Sequence, residues 1–339
     1  MSASSPHGHF VWHDLITTDI SAGLEFYKKI TGWKTQPFDP EGRYLMWVNN
    51  SGAVGGIGAA PQGTKPYWRI YIGTDDIEAT VFKAQQLGGT VVAPVTDIPG
   101  VGRWAALRDP QGNEFGVFWA PDTKAPVLSM QPGEFHWHEL ATDDYKAAFE
   151  FYRTLFGWQH GIEHNMGDLG AYLVFKNEGR PNGLGGFYNK QPGTANGGGW
   201  CTYTIVKDVK KAAALIDKLG GKNTHKPVKV PGGSWVIKFT DPQGAAHALT
   251  SADEKDVQAR KPTAAAKPGT KTSATKSTKR VAGKPARKSA KKKAAKKPVK
   301  SKTAAKQKKP SAKKVMKRKA LKKAAGKKAK QRTKARKKK

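Results

Sequence analysis

The sequence predicts an α+β protein. Four similar strand–helix–strand–strand–strand units pair into two halves of curved mixed sheets with helices on their outer faces, and a disordered basic tail follows. Three observations predict it. They are an ordered internal repeat, strand and helix periodicities alternating inside each repeat, and a charge balance that changes abruptly near residue 251.

The repeat sets the architecture. FVWHDL at 10–15 recurs as FHWHEL at 135–140. Phe26 and Tyr27 recur as Phe151 and Tyr152, Gly32 and Trp33 as Gly157 and Trp158, and Tyr44 and Leu45 as Tyr172 and Leu173. Gly55 and Gly56 match Gly185 and Gly186, and Trp68 matches Trp200. LGG at 87–89, PG at 99–100 and DPQG at 109–112 return at 219–221, 231–232 and 241–244. The offset grows only from 125 to 132, so the halves share one plan with small insertions. The segments expected are a first domain over 8–120, a linker over 121–132, a second domain over 133–250 and a tail over 251–339.

Within the first half, alternation predicts a strand over 10–17. A helix follows over about 21–30, with Leu24, Tyr27 and Ile30 on one face and Gly32 as its stop. Strands come next near 44–48 and 54–59, broken by the turn-forming NNSG at 49–52. The second unit opens on a strand at 68–72. Its helix, 77–87, carries Ile77, Val81, Ala84 and Leu87 at helical spacing and stops at Gly88 and Gly89. Strands near 90–93, 103–108 and 114–119 complete it.

Charge separates the tail from the rest. The chain has 339 residues and a net charge of +34; residues 251–339 hold 37 basic and 3 acidic side chains, and the remainder balances at 23 of each. No aromatic residue follows Phe239, and the few apolar ones cannot offset the entropy of ordering such a segment. Its composition resembles linker-histone C-terminal tails. The basic runs containing Lys291, Lys292, Lys293, Lys296, Lys297, Lys317, Arg318 and Lys319 suit sequence-independent binding of DNA or RNA through phosphates. No apolar run approaches the ~18 residues of a membrane-spanning helix. The first residues lack a basic segment followed by an apolar one, so no secretory leader is expected. A single cysteine, Cys201, excludes an internal disulfide framework and fits a reducing, cytoplasmic compartment, nucleoid- or chromatin-associated if the tail binds DNA.

The order W-x-[DE]-L, D, FY, GW, W-x-x-Y, D, LGG, PG, DPQG resembles the vicinal oxygen chelate superfamily of glyoxalases, bleomycin-resistance proteins and extradiol dioxygenases, and within it the tandem-domain glyoxalase-like proteins described as predicted hydroxylases. The match covers about 8–250, in both halves. It implies paired βαβββ units forming a cupped sheet around a small-molecule cavity, where enzymatic members hold a divalent metal through His and Glu. The ligand positions do not carry such residues here. The first His position falls on Trp12 and Trp137, the second unit's opening ligand on Arg69 and Cys201, and the last-strand Glu on Gly116 and Ala248. The strand closing the first unit, with Gly55 and Gly56 or Gly185 and Gly186, offers no carboxylate. Indole, guanidinium and bare backbone supply no lone pairs suited to a hard cation, so neither metal nor cofactor is expected. His13, His136 and His138 are the alternative metal set, needing a further ligand from His160, Glu163, His164 or His247.

Asp14 and Glu139 lie two residues beyond Trp12 and Trp137, hence on the same strand face. On a cup-lining face each sets a carboxyl against an indole, where apolar surroundings raise its pKa and fit it for general acid–base work. They are the candidate catalytic residues. Trp12, Arg69, Trp137 and Cys201 are the candidate pocket residues, with Arg69 as an anion anchor in the first cup and Cys201 otherwise a small core residue. Eight of the ten tryptophans pair across the halves as Trp12/Trp137, Trp33/Trp158, Trp68/Trp200 and Trp104/Trp235, and aromatic walls suit flat apolar ligands. Three functions stay open: a metal-independent glyoxalase-like module binding a small organic ligand while the tail holds nucleic acid; a related lyase or hydroxylase acting through Asp14 or Glu139; and a histone-like nucleic-acid-associated adaptor.

Overall fold

A computed structural model describes residues 5–121, 125–126, 130–178, 180–192, 194, 198–231 and 233–251. The basic runs from Lys291 to Lys319 and half of the 121–132 linker lie outside the described residues.

Each half is one curved mixed sheet. In the first, β1 (Phe10–Thr17), α1 (Ile20–Thr31), β2 (Lys34–Pro37), β3 (Leu45–Asn49) and β4 (Gly52–Ala59) form one unit. β5 (Tyr67–Gly73), α2 (Ile77–Gln86), β6 (Thr90–Ile98), β7 (Gly102–Arg108) and β8 (Glu114–Trp119) form the next. The strands run β2-β3-β4-β1-β5-β8-β7-β6, with β1 and β5 antiparallel at the centre. The second half repeats this with β9 (Phe135–Thr142), α3 (Tyr145–Phe156), β10 (Gln159–Asn165), β11 (Ala171–Asn177) and β12 (Arg180–Asn189), then β13 (Gly199–Ile205), α4 (Val209–Lys218), the two-residue β14 (Lys222–Asn223) and β15 (Val228–Lys229), β16 (Trp235–Thr240) and β17 (Ala246–Ser251). Its order is β10-β11-β12-β9-β13-β17-β16-β14, with β15 also pairing β16. No helix among the described residues is long and apolar enough to cross a membrane.

Each of the four α-helices starts on an aspartate. Asp19, Asp76, Asp144 and Asp208 accept backbone N–H bonds from the first turns of α1 to α4. Gly32 and Gly157, at φ of +77° and +72°, close α1 and α3 in the left-handed conformation that glycine adopts without a Cβ penalty.

The helices sit on the convex sheet faces, and those faces pack on one another rather than on solvent. Two apolar clusters form, each built from both halves. One joins Ile70, Ile72 and Phe115 to Tyr152, Phe156 and Phe175; the other joins Leu15, Phe26 and Ile57 to Ile237, Phe239 and Leu249. The repeated residues clamp this junction reciprocally. Tyr27 OH donates to Asp241 at 3.2 Å, and Tyr152 OH to Asp109 at 3.3 Å, so each DPQG turn holds the other half's first helix. Trp68 Nε1 donates to Tyr27 OH and Trp200 Nε1 to Tyr152 OH, while Trp33 and Trp158 donate to the Gly133 and Gly8 carbonyls. Buried indole N–H groups need such partners.

The repeat register corrects one tryptophan pair. Ala106 pairs with Gly116 as Lys238 pairs with Ala248, so Trp104 matches Val236 rather than Trp235. One residue reverses the face of a strand. Accordingly Trp104 lies near the Arg69 guanidinium, 5.7 Å from ring centre, whereas Trp235 packs with the core and carries Lys210 over its ring at 4.0 Å.

Candidate functional site

The concave faces are lined by alternate residues of the central strands. On β1 those are Trp12 and Asp14, while His13 and Leu15 turn toward the junction. Asp14 is 7% exposed and accepts three bonds: from Trp12 Nε1 at 2.9 Å, Tyr44 OH at 2.6 Å and Tyr71 OH at 2.9 Å. Burial raises its carboxyl above the usual range, and the Tyr44, Tyr71 and Trp12 donors oppose that rise. The apolar surroundings expected of Asp14 are therefore replaced by phenols.

Arg69 pairs with Asp14 across the strands, but its guanidinium is engaged by Glu114, with Nη2 at 2.7 Å and Nε at 3.1 Å, and by Tyr67 OH. It is thus no free anion anchor, because a carboxylate from β8 already balances it.

The second cup solves the same problem differently. Glu139, also 7% exposed, accepts from Tyr172 OH at 2.7 Å, from Tyr203 OH at 2.9 Å and from Lys238 Nζ at 2.5 Å. Trp137 Nε1 reaches Tyr172 OH at 2.8 Å rather than the carboxylate itself. Burial works to lower the Lys238 ammonium, but the Glu139 charge overrides it and holds the group above the usual lysine range. Lys238 also donates to Tyr188 OH at 2.9 Å.

Cys201 pairs with Glu139 on this face, and its neighbour Trp200 is the one in the core. The core assignment of Cys201 is therefore corrected by strand alternation. Burial pushes its thiol up to about 12, so it is no thiolate nucleophile at neutral pH.

The donor set does not fit the divalent metal that the resemblance implies. The glycines at the ligand positions are covered by aromatic rings. A Cβ added to Gly116 would lie 2.3 Å from Tyr71 Cδ1, and one on Gly56 1.8 Å from Tyr44 OH. Gly186 stands in the same relation to Tyr172, at 2.1 Å. Each floor carboxylate already takes hydrogen bonds from phenol, indole or ammonium. Of the alternative set, His13, His136 and His138 come together at the junction, away from the cups, but they do not group with a further ligand to hold a metal among the described residues. His160 is exposed beside Glu163 on β10, and His247 is buried against Thr204. Among the described residues no three His, Cys, Asp or Glu side chains group to hold a metal.

Sequence reasoning joined Asp14 to Trp12 and Glu139 to Trp137; the first pair is bonded directly, and the second is linked only through Tyr172 OH. It missed Tyr44, Tyr71, Tyr172, Tyr188, Tyr203, Glu114 and Lys238. The signal available was repetition: Tyr44 and Tyr71 return as Tyr172 and Tyr203.

Residues 11–118 match the family described as "Glyoxalase-like domain", and residues 134–249 the "Glyoxalase/Bleomycin resistance protein/Dioxygenase superfamily". The chain is 33% identical over 244 residues to "Putative glyoxylase CFP32" of Mycobacterium tuberculosis, covering 69% of this chain and 91% of that protein. It is 26% identical over 262 residues to "Anthracycline biosynthesis protein DauV" of Streptomyces sp. strain C5, covering 72% and 93%. Among solved structures, the Mn(II)-bound glyoxalase from Novosphingobium aromaticivorans superposes with a TM-score of 0.52 at 15% identity, over 74% of this chain and 85% of that one.

Proposed function

Because the chain belongs to the glyoxalase/bleomycin-resistance/dioxygenase superfamily, we propose that it is a metal-independent small-molecule-binding member whose cups hold a flat organic ligand over the Asp14 and Glu139 floors, while its basic tail binds nucleic acid without sequence preference. The observation that carries the reading is the covering of Gly116, Gly56 and Gly186 by tyrosine rings, which fills the space where the resemblance implies ligands to a cation. Trp12, Trp104 and Trp137 supply aromatic surface near the floors, and the phenols supply hydrogen bonds to hydroxyl or carbonyl groups. A relative named for anthracycline biosynthesis supports a polycyclic aromatic as the ligand class. The tail adds phosphate contacts by charge alone. Engaging ~10 phosphates loses roughly 10³–10⁵ in affinity between 50 and 200 mM salt. Under this reading the protein acts on nucleic acid in the cytoplasm.

A second reading is favoured by the floors themselves. A buried carboxyl bonded to two phenols can take or return a proton, so Asp14 or Glu139 would serve as general base in a lyase- or hydroxylase-type reaction. The relative named as a glyoxylase points the same way.

The test is a thermal-shift titration of hydroxylated polycyclic aromatics into the chelator-treated full chain and its Trp12→Ala and Trp137→Ala variants. Stabilisation that survives the chelator and weakens about tenfold or more in the variants supports the reading. Binding that needs a stoichiometric divalent ion overturns it. Gel retardation of unrelated duplexes by the full chain and by residues 1–251 tests the tail, and equal retardation by both refutes its role.

A further inference from the structure

Where the halves meet, on the face away from the cups, lies a cavity of about 40 Å³ lined by His13, His136, His138 and Arg180 and by the rings of Phe10 and Phe135. Roughly 10–15 Å³ admits one water, so the space takes about three waters or one carboxylate group. Its walls come from both halves: Phe10 and His13 from β1, Phe135, His136 and His138 from β9, and Arg180 from β12.

The chemistry of this lining is one-sided, because no acidic side chain among the described residues contributes to it. Arg180 has no carboxylate partner among the described residues, and burial alone lowers its guanidinium to about 10. It remains a cation at neutral pH, half-buried, with nothing described to balance it. A buried, unbalanced charge is costly unless something pairs with it.

The histidines are fixed beside it. His13 and His138, each 4% exposed, face one another with Nε2 atoms 2.7 Å apart, so one N–H lies between them. His13 stacks on Phe135 at 3.8 Å and His138 on Phe10 at 3.6 Å between ring centres. Burial pushes His13 down to about 3 and holds His138 well below the usual imidazole range. These rings are neutral and bonded to one another, so they offer flat walls and no second positive charge.

The pseudo-symmetry shows that packing does not require the cationic group. In the repeat register Arg180 pairs with Asn177 as Gly52 pairs with Asn49, so Arg180 corresponds to Gly52, and His136 corresponds to Val11. The first half thus builds the equivalent positions without a charge. Arg180 and His136 are departures from the repeat, and both line the one cavity.

We propose that this junction cavity binds a small monoanion through a carboxylate head group, held by the Arg180 guanidinium between the imidazole and phenyl walls, as a site separate from the two cups. The planar guanidinium fork matches two carboxylate oxygens, and one negative charge balances one positive. A phosphate dianion would bring a second charge that the neutral His13 and His138 do not balance. Because β1, β9 and β12 all contribute, an occupant would bridge the halves and stabilise their junction.

The experiment is thermal unfolding of the full chain in formate, acetate, chloride and phosphate at matched ionic strength, with Arg180→Gln and Arg180→Lys alongside. The tail is common to all three proteins, so its general response to anions cancels in the comparison. Acetate and formate should raise the Tm of the parent saturably and more than chloride or phosphate. Arg180→Gln should weaken acetate binding about tenfold or more while its ligand-free Tm stays within a few degrees of the parent, because no ion pair is lost. Arg180→Lys, which keeps the charge but not the fork, should fall between them, and it carries the test if the Gln variant does not fold. An acetate response equal in all three proteins, a chloride response equal to that of acetate, or a preference for phosphate would each overturn the proposal.

Discussion

Removing the Lys238 ammonium tests how the second cup tolerates a buried carboxylate. The Lys238→Met variant keeps most of the alkyl stem and deletes the charge that sits 2.5 Å from Glu139. The Glu139 and Lys238 side chains are 9% and 28% exposed, so the pair belongs with buried ion pairs. Breaking one by removing a single partner costs about 3–5 kcal/mol, because the other charge is left uncompensated. Glu139 would still accept from Tyr172 and Tyr203, which sets the expectation at the low end, about 3 kcal/mol. For a folded unit of this size that is a fall in Tm of about 6–12 °C. The Glu139→Gln/Lys238→Met double variant leaves no charge behind and should recover to within about 1 kcal/mol of the parent. Urea unfolding of the full-length proteins, followed by tryptophan fluorescence, measures both. A single variant costing under about 0.5 kcal/mol, the range of an exposed residue, would refute the reasoning. So would a double variant no more stable than the single one.

Gly116→Ala should destabilise by about 1–3 kcal/mol, read by urea unfolding, because the new Cβ would meet the Tyr71 ring at 2.3 Å. Asp14→Asn carries a pH signature. The folded carboxyl is raised by burial, so the folded state binds its proton more tightly than the unfolded state, and the parent's stability from this group is lost as pH rises through the folded value. The stability of the parent relative to Asp14→Asn should therefore fall as pH rises above about 4, the range of an unfolded Asp carboxyl; a flat or rising difference in paired urea titrations would show that burial does not dominate at Asp14. Tyr152→Phe should cost about 1–2 kcal/mol by chemical denaturation, since it removes one donor from Asp109 and the acceptor of the Trp200 indole at the half–half junction.

The backbone plan was legible because repetition and periodicity are local. The four unit starts, the aspartate caps and the glycine stops are all written in short stretches. β2, the stretch KTQP, has no apolar alternation and is mostly exposed, so no pattern announces it. The face of Asp14 and Glu139 was legible because Trp12 and Trp137 fix parity two residues earlier. The partners of those carboxylates were not, since Tyr44, Tyr71 and Lys238 reach them from other strands. Arg69 read as an anion anchor because Glu114, 45 residues away, is invisible to any local window. The packing of convex face on convex face was equally hidden. Phe26 meets Phe239, and Tyr27 meets Asp241, only through long-range closure.

The two cups obey one constraint with different residues. Each floor buries a carboxylate on the first strand of its half, and each recruits one phenol from β3's approach or β11 and one from the paired central strand. The cation then diverges. In register, Arg69 stands where the second half has Cys201, and Lys238 stands where the first half has Ala106. The first cup adds Glu114 to balance Arg69, whereas the second places Ala246 there and lets Lys238 bond Glu139 directly. Transplanting only one member of either set would leave a charge uncompensated, a cost of several kcal/mol that no local repacking removes. The substitutions therefore make sense as sets. Backbone symmetry survives because the strands need only parity, while the charge pattern is free to move among strands that reach the same floor. The cups are thus related in shape but not in electrostatics: one presents a floor whose guanidinium is spoken for by a neighbouring carboxylate, the other a floor whose ammonium is shared between Glu139 and Tyr188.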